Sequence, residues 1–392
     1  MLRLAIILGL LGLIGPFATD MYLPAMPIIA ADLGVSESQV QSTLTSYFIA
    51  FGLAQLIYGP MADQTGRKPP IILGLCVFLA GSVGATLADT NLSLTLWRAV
   101  QATGGAALMV VTRAVIRDRY TGTDATRLMA MLMLVISVSP MLAPLAGSGV
   151  IAVSSWRAIF AVLAAIAVLD LLLATFALPE TLPREKRVPV NLMSMRRGMG
   201  ILFRDPMFLG LTLTGGFGMA SFFVFIASAS FVYTGQFGLS PTGFSLAFAV
   251  NAVGFFGASQ TAGVLGARFG IPKVVRMGVF GFFGFTALLA LVALSGLASL
   301  PVIIAGLFCA NACLGVVIPT TMVLALEDHG EIAGLASSLG GTLQMLAGGI
   351  MIALSGLFFD GTATPMLLAI VACATVSLSL TIFVLGRDRR SA

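Results

Sequence analysis

The sequence predicts an all-α polytopic membrane protein with twelve spanning helices arranged in two related six-helix bundles. Three observations support this prediction: 58% of the 392 residues are hydrophobic, only 9% are charged, and long apolar runs recur along the whole chain. The mean hydropathy is +1.04. Because soluble domains carry about 25% charged residues, this composition excludes a soluble protein.

Each apolar run has about 20 residues, enough for a helix that crosses the hydrocarbon layer of a bilayer. The runs lack the alternation of polar and apolar residues that marks the strands of a membrane barrel. The first run continues through Asp20 to Ala30 without a convincing cleavage site, which favours a retained helix over a signal peptide. The predicted spans cover residues 4–30, 41–60, 71–88, 92–116, 128–152, 157–178, 207–232, 242–265, 274–295, 301–324, 334–358 and 365–386.

Lysine and arginine are unevenly distributed among the predicted loops. If the N-terminus is cytoplasmic, 19 of the 21 basic residues lie at cytoplasmic ends of the spans. The opposite loops contain Asp32, Glu37, Asp89 and Asp360 and almost no positive charge. This is the positive-inside pattern, and it predicts that both termini are cytoplasmic. It also accounts for the net charge of +5 without a nucleic-acid partner.

The longest polar break divides the predicted spans into two sets of six. We predict an N-terminal bundle over residues 1–178, a cytoplasmic linker over 179–205 and a C-terminal bundle over 206–392. Internal repeats of this kind are typical of secondary transporters, which bind substrate near the midplane between the repeats and alternate access to it. A shift of 204 residues aligns Phe51 with Phe255, Gly59 with Gly263, Gly66 with Gly270 and Gly74 with Gly278.

Two charged side chains lie deep in predicted spans of the N-terminal half. Asp20 is in the first span, where a charge costs roughly 3 kcal/mol even on a lenient insertion scale, and Arg98 is in the fourth. A helical rise of 1.5 Å per residue places Asp20 ~15 Å and Arg98 ~9 Å from the predicted outer surface. We therefore predict that Asp20 and Arg98 form a direct or water-bridged pair that serves as a coupling site. The alternative is a static salt bridge that only makes the two buried charges tolerable.

A short polar segment joins the second and third predicted spans, and its glycines permit a tight turn. It resembles the signature loop of the major facilitator superfamily, G-x-x-x-D-[RK]-x-G-R-[RK], except that Gln64 replaces the usual base. The resemblance implies the twelve-helix fold of that superfamily and a role in conformational gating. The residues that match the motif are Gly59, Asp63, Gly66, Arg67 and Lys68.

The N-terminal half is further similar to drug:proton antiporters, and among them to the bicyclomycin-resistance branch. The similarity is carried by Thr19 to Pro27 and by residues 56–63, 139–144, 155–160 and 179–183. It implies proton-coupled export of amphipathic small molecules, such as bicyclomycin or phenicol-like antibiotics, from the bacterial inner membrane. It implies protons as the coupling ion, no cofactor and no metal, and we expect a monomer embedded in the lipid bilayer.

The same resemblance assigns proton coupling to Asp20 and Arg98. Related antiporters can carry a glutamate two turns earlier, but the corresponding position near Gly12 has no acid. Asp170, near the middle of the sixth predicted span, is a candidate second acid; the alternative is a position facing lipid or its own bundle.

The fifth predicted span carries Pro140, Pro144 and Gly147, which resemble the antiporter motif of exporters. Proline removes helical hydrogen bonds and small residues allow close packing, so the segment predicts a hinge on the substrate path. An ordinary kinked helix is the alternative.

Candidate substrate contacts are polar and aromatic residues on the central predicted spans. An apolar cavity with few directional bonds suits amphipathic drugs. Tyr47 and Asn251 occupy equivalent places in the two halves. The candidates are Tyr22, Tyr47, Gln55, Gln101, Phe223, Asn251, Asn311 and Gln344, with Phe217, Phe222 and Phe225 as further parts of an apolar wall.

Two other functions are compatible with a polytopic chain. A transporter of one metabolite, such as an amino acid, would have the same fold. A membrane enzyme or receptor is disfavoured because the sequence has no nucleophile–base set, no metal cluster and no ATP-binding loop. We therefore expect a secondary transporter and not an enzyme.

Overall fold

The computed structural model describes residues 2–120, 122–187 and 192–387, and regular structure in these residues is helical. Its α-helices are α1 (Leu2–Asp20), α2 (Met26–Leu33), α3 (Glu37–Thr65), α4 (Lys68–Thr86), α5 (Asn91–Arg119), α6 (Gly122–Val153), α7 (Arg157–Phe176), α8 (Leu192–Arg204), α9 (Pro206–Phe231), α10 (Pro241–Ser259), α11 (Ala262–Phe269), α12 (Ile271–Leu294), α13 (Leu300–Leu326), α14 (Ala333–Gly356) and α15 (Ala363–Arg387).

Within the described residues, ten helical stretches are long and apolar enough to cross a membrane. One of them, Leu300–Gly356, contains both α13 and α14, which are separated by the 3-10 turn Glu327–Ile332. The apolar segment Ser137–Val153 of α6 is a further, shorter one. Every predicted span is therefore matched by a helix, and the prediction of an all-α polytopic membrane protein is confirmed.

The first predicted span is not one continuous helix, and this part of the prediction is wrong. Helix α1 ends at Asp20, a 3-10 turn covers Leu23–Ala25, and α2 begins at Met26. Pro24 and Pro27 explain the break, because proline has no backbone N–H and disfavours the helical conformation of the residue before it. Asp20 thus lies at a helix end in the middle of an apolar segment.

Three further boundaries differ from the sequence prediction. Helix α3 continues through Pro60 to Thr65, so the polar segment after Gly59 is mostly helical and only residues 66–67 connect α3 to α4. The eighth predicted span is interrupted at Gln260 and Thr261, between α10 and α11. The predicted linker contains the 13-residue helix α8.

The chain divides into two compact units, Met1–Leu192 and Met193–Ala392. In the first unit α5 packs on α3 and α4, α4 packs on α7, and α1 packs on α6. In the second unit α13 packs on α10 and α12, α12 packs on α15, and α9 packs on α14. The same order of helix pairs in both units supports the internal repeat, as does the positive φ of Gly66 and of its counterpart Gly270 (100° and 83°).

Small residues bring α4 and α5 into close contact. A Cβ atom on Gly81 would overlap the backbone of Gln101, and one on Gly84 would overlap the Trp97 ring. A Cβ on Gly104 would overlap the backbone of α4 at Phe78. Close helix contact through small residues is the usual packing in membranes. It fixes the turn of α5 that carries Arg98.

Candidate functional site

Arg98 is fully buried in the first unit and binds the broken end of α1. Its Nη1 donates a hydrogen bond to the carbonyl oxygen of Ala18 at 2.9 Å. The last carbonyl groups of a helix have no partners within the helix, and a helix C-terminus carries partial negative charge. The break after Asp20 therefore creates an acceptor that suits a buried cation.

A chain of polar side chains holds the Arg98 guanidinium from the side of α4 and α5. Gln101 accepts a hydrogen bond from Arg98 Nη1 at 2.5 Å and donates one from Nε2 to the Ser82 hydroxyl at 2.8 Å. The Ser82 hydroxyl donates to the carbonyl oxygen of Phe78. Both polar ends of the buried Gln101 amide are thus satisfied, which fixes its orientation.

Aromatic rings surround the rest of the guanidinium. The Arg98 Cζ atom lies 4.3 Å from the ring centroid of Tyr47, 4.9 Å from that of Tyr22 and 5.7 Å from that of Phe160. Such contacts stabilise a buried cation by about 2 kcal/mol when it is desolvated. We refer to Tyr22, Tyr47, Arg98, Gln101 and Phe160 as the arginine cluster.

The direct ion pair expected between Asp20 and Arg98 is not formed. Among the ion pairs of the described residues none joins these two groups. Arg98 donates to Ala18 and Gln101 from Nη1, whereas its Nε and Nη2 are buried without hydrogen-bond partners among the described residues. Asp20 is 5% exposed and interacts electrostatically with Tyr47, which lies on Arg98. A carboxylate at a helix C-terminus is in an unfavourable field, so Asp20 is placed where a change of charge has a large effect.

Gly147 of α6 packs against the break in α1. A Cβ atom at this position would overlap the carbonyl oxygen of Met21, the residue after Asp20. Pro140 and Pro144 are both buried within α6. The three residues proposed from sequence as a hinge therefore lie on the helix that supports the Asp20 end of α1.

The polar segment after Gly59 forms a charge network at one end of the first unit. Arg67 donates from Nε and Nη2 to Asp118 of α5 at 2.6 and 3.1 Å, and from Nη1 to Asp63 at 2.6 Å. The Lys68 ammonium donates to the carbonyl oxygen of Thr175 in α7. Gly66 allows the tight connection through its positive φ, whereas Gly59 lies within α3.

Glu180 completes this network, although no role was predicted for it from the sequence. Its carboxylate accepts backbone N–H bonds from Arg67 at 2.9 Å and Lys68 at 3.2 Å, and from Thr181 and Leu182. Burial opposes ionisation, but these four bonds together hold the pKa of Glu180 below its usual 4.5. The residue caps the first turn of α4 from the segment after α7. Asp118 was also missed, although the Arg-Asp-Arg run at residues 117–119 is a visible signal.

At the opposite end of the first unit, Trp156 and Arg157 join the ends of neighbouring helices. The Trp156 indole N–H and the Arg157 guanidinium donate to Asp32 at 2.8 and 3.0 Å, and Arg157 also donates to the carbonyl oxygen of Ala88. These contacts connect the ends of α2, α4 and α7. They give a structural reason for the Ser-Trp-Arg segment that carried part of the family resemblance.

The candidate substrate residues of the second unit fall into two places. Asn311 Nδ2 donates to Asn251 Oδ1 at 3.4 Å, and both side chains are buried between α10 and α13. Phe223 of α9 packs on Gly348 of α14, and Gln344 lies one turn earlier on α14. The other phenylalanines of the proposed wall are divided: Phe222 and Phe225 stack on Phe255 and Phe248, and Phe217 is half-buried.

Two candidates of the first unit lie apart from the arginine cluster. Gln55 is buried on α3, eight residues from Tyr47, and its Nε2 has no hydrogen-bond partner among the described residues. Asp170 lies on α7 and lines a separate apolar groove between α1 and α7. The structure thus brings together Asp20, Tyr22, Tyr47, Arg98 and Gln101, but not Asp170.

Comparison with known proteins gives matches over almost the whole chain. The Major Facilitator Superfamily matches residues 8–352. A bicyclomycin resistance protein homolog of Haemophilus influenzae is 32% identical over 384 residues, covering 98% of this chain and 96% of that protein. A chloramphenicol resistance protein of Pseudomonas aeruginosa is 31% identical over 377 residues, covering 94% of this chain and 87% of that protein.

The fold also matches solved transporters. The crystal structure of a D-xylose–proton symporter has a TM-score of 0.76 to this chain at 17% identity, with 98% of this chain and 97% of that chain covered. This match confirms the fold expected from the sequence. The matches in sequence confirm the resemblance to the bicyclomycin-resistance branch.

Proposed function

We propose that this chain, which belongs to the Major Facilitator Superfamily, exports amphipathic drugs in exchange for protons. It is a multi-pass membrane transporter, and relatives named for bicyclomycin and chloramphenicol resistance support drugs of these classes as substrates. The distribution of basic residues supports the bacterial inner membrane with both termini in the cytoplasm.

The observation that carries this proposal is the break of α1 at Asp20 beside the arginine cluster. Interrupted helices in transporters present helix ends and free backbone groups to ions and substrates at the middle of the membrane. Here the buried carboxyl group of Asp20 and the Ala18 carbonyl oxygen, which the buried Arg98 guanidinium binds, lie within two residues of the same helix end.

In this proposal, proton coupling arises because the drug and the proton compete for the region around Asp20. In the state open to the cytoplasm, drug binds and Asp20 releases its proton. In the state open to the outside, a proton returns to Asp20 and the drug leaves. In both access states Arg98 keeps its hydrogen bond to the Ala18 carbonyl oxygen, so the charge of Asp20 acts on a helix end whose position is fixed. The substrate contacts in this proposal are Tyr22, Tyr47, Gln55, Gln101, Phe223, Asn251, Asn311 and Gln344.

Gating is assigned to the network around Arg67. Its bonds join α3, α4, α5 and α7 at one end of the first unit. Breaking and remaking them would accompany the change between the two access states, while Pro140, Pro144 and Gly147 let α6 follow the break in α1.

The test is drug-induced proton release from the purified protein. Wild type is expected to release a proton on binding a phenicol, whereas Asp20→Asn should bind drug without release. Asp89→Asn is the control, because it removes a carboxylate that is 90% exposed and lies outside the arginine cluster. Proton release by Asp20→Asn equal to that of wild type would show that Asp20 is not the coupling site. Transport of a single metabolite with no drug resistance would overturn the export of drugs.

A further inference from the structure

A groove of about 670 Å³ lies between α1 and α7, away from the arginine cluster. Apart from Asp170, the described residues of its lining are all apolar, with Leu10, Leu13, Ile14 and Phe17 on α1 and residues such as Leu169 on α7. Drug-binding pockets in proteins have volumes of roughly 300–1,000 Å³. The groove is therefore of a size that holds a small amphipathic molecule.

The groove is open at the exposed surface of α1 and α7. Leu10, Leu169, Leu172 and Phe176 at its rim are 43%, 63%, 50% and 81% exposed. In a chain that spans a membrane, apolar side chains with such exposure contact lipid acyl chains. Molecules dissolved in the bilayer can thus reach the groove without passing through water.

Asp170 is the one charged residue among the described residues of the lining. It is only 4% exposed, and its Oδ2 is buried without a hydrogen-bond partner among the described residues. An unpaired ionised carboxylate in apolar surroundings is costly, and buried charges in proteins are normally paired. The protein itself supplies no cation here, since none of the ion pairs within the described ranges includes Asp170.

The position of Asp170 along α7 indicates which class of ligand pairs with it. It lies six residues before the end of α7 at Phe176, or about 9 Å along the helix, on the side that the charge distribution assigns to the cytoplasm. A phospholipid would bring its phosphate toward a carboxylate. A lipophilic amine would instead bring one cationic N–H donor to the carboxylate and an apolar body to the leucine-rich walls.

We propose that the groove between α1 and α7 is a binding site for lipophilic amines that enter from the cytoplasmic leaflet, with Asp170 as the ion-pair partner. Such a site would collect amphipathic cations at the membrane before export, so its purpose, though not its existence, rests on the proposed function. It gives Asp170 a role in ligand capture that is separate from proton coupling at Asp20.

The test uses dicyclohexylcarbodiimide, which dissolves in lipid and forms a stable adduct with carboxyl groups in apolar surroundings. Wild-type protein in phosphatidylcholine nanodiscs is labelled, and mass spectrometry measures the adduct on the peptide that contains Asp170. Protonated N,N-dimethyldodecylamine is expected to reduce this adduct at least ~5-fold, whereas dodecanol at the same concentration in the bilayer should not.

Two variants keep the result independent of folding and of transport. Leu169→Trp fills the groove and should abolish the protection by the amine, whereas Val168→Trp, on an exposed position of α7 outside the lining, should preserve it. Equal protection by amine and alcohol, protection unchanged by Leu169→Trp, or no labelling of Asp170 without ligand would each overturn the proposal. Because labelling requires no transport, drug export by a protein that fails this test would leave the proposed function intact.

Discussion

The guanidinium of Arg67 forms two hydrogen bonds to the carboxylate of Asp118, at 2.6 and 3.1 Å, across 51 residues of sequence. The Asp118 side chain is 16% exposed and the Arg67 side chain 8%, whereas Asp63, the acid of the signature motif, is 58% exposed. Two-point contacts between arginine and carboxylate are stronger than single ones and fix orientation. Asp118, which lies outside the signature motif, is therefore the main partner of Arg67.

Asp118→Asn should destabilise the protein more than Asp63→Asn. The first change leaves a mostly buried guanidinium without its main charged partner, at a cost of about 2 kcal/mol. The second removes a mostly exposed partner and should cost about 0.5 kcal/mol. Thermal unfolding of the purified variants measures the difference. Equal losses, or a larger loss for Asp63→Asn, would contradict this ranking.

Gly147→Ala should lower both stability and transport. The added Cβ overlaps the Met21 carbonyl oxygen, so α6 must move from the break in α1, which typically costs about 1–3 kcal/mol. Gly149→Ala is the matched control on the same helix, because no atom lies within 4 Å of a Cβ there. The melting temperature and drug resistance of the two variants are the measurements. A Gly147→Ala protein that behaves like Gly149→Ala would show that the contact is not required.

Arg98→Lys should impair transport although it retains the positive charge. Lysine keeps N–H donors for Ala18 and Gln101, which Arg98 reaches from the single atom Nη1, but it has no planar group to stack on Tyr22 and Tyr47. The loss of these ring contacts amounts to about 2 kcal/mol. Drug-dependent proton release from proteoliposomes reports the effect. Wild-type release by the lysine variant would mean that charge alone is sufficient.

The contribution of Glu180 to stability should disappear at acidic pH. Its pKa in the folded protein lies below the usual 4.5, since the bonds to four backbone N–H groups outweigh the effect of burial. The stabilisation is thus fully present above pH 4.5 and is lost as the pH falls through the folded pKa. The melting temperature of Glu180→Gln should therefore be lower than that of wild type at pH 7, with the difference shrinking below pH 4.5. A difference that stays constant between pH 7 and pH 4 would be inconsistent with a charged cap.

Many residues of the candidate site could be predicted from their own chemistry and from motifs, but the residues that they contact could not. The insertion cost of a buried charge identified Asp20 and Arg98, and the expected pair between them was reasonable from depth alone. Depth, however, says nothing about rotation around a helix axis or about a break in the helix. The break frees the carbonyl of Ala18, and Arg98 donates to it and to Gln101 from Nη1 and not to Asp20, while its Nε and Nη2 have no hydrogen-bond partner among the described residues. The same limit left Asp118 and Glu180 unassigned, because their partners are distant in sequence.

The sequence by itself determined the membrane-spanning helices, the all-α fold and the family. Each of these depends on local properties, namely apolar runs of spanning length and short motifs. Only the tertiary structure decided that Arg98 binds a helix end, that Arg67 pairs mainly with Asp118, and that Asp170 faces a groove of its own. These depend on how helices rotate and cross, and that is set by packing contacts such as Gly147 on Met21, which no local pattern encodes.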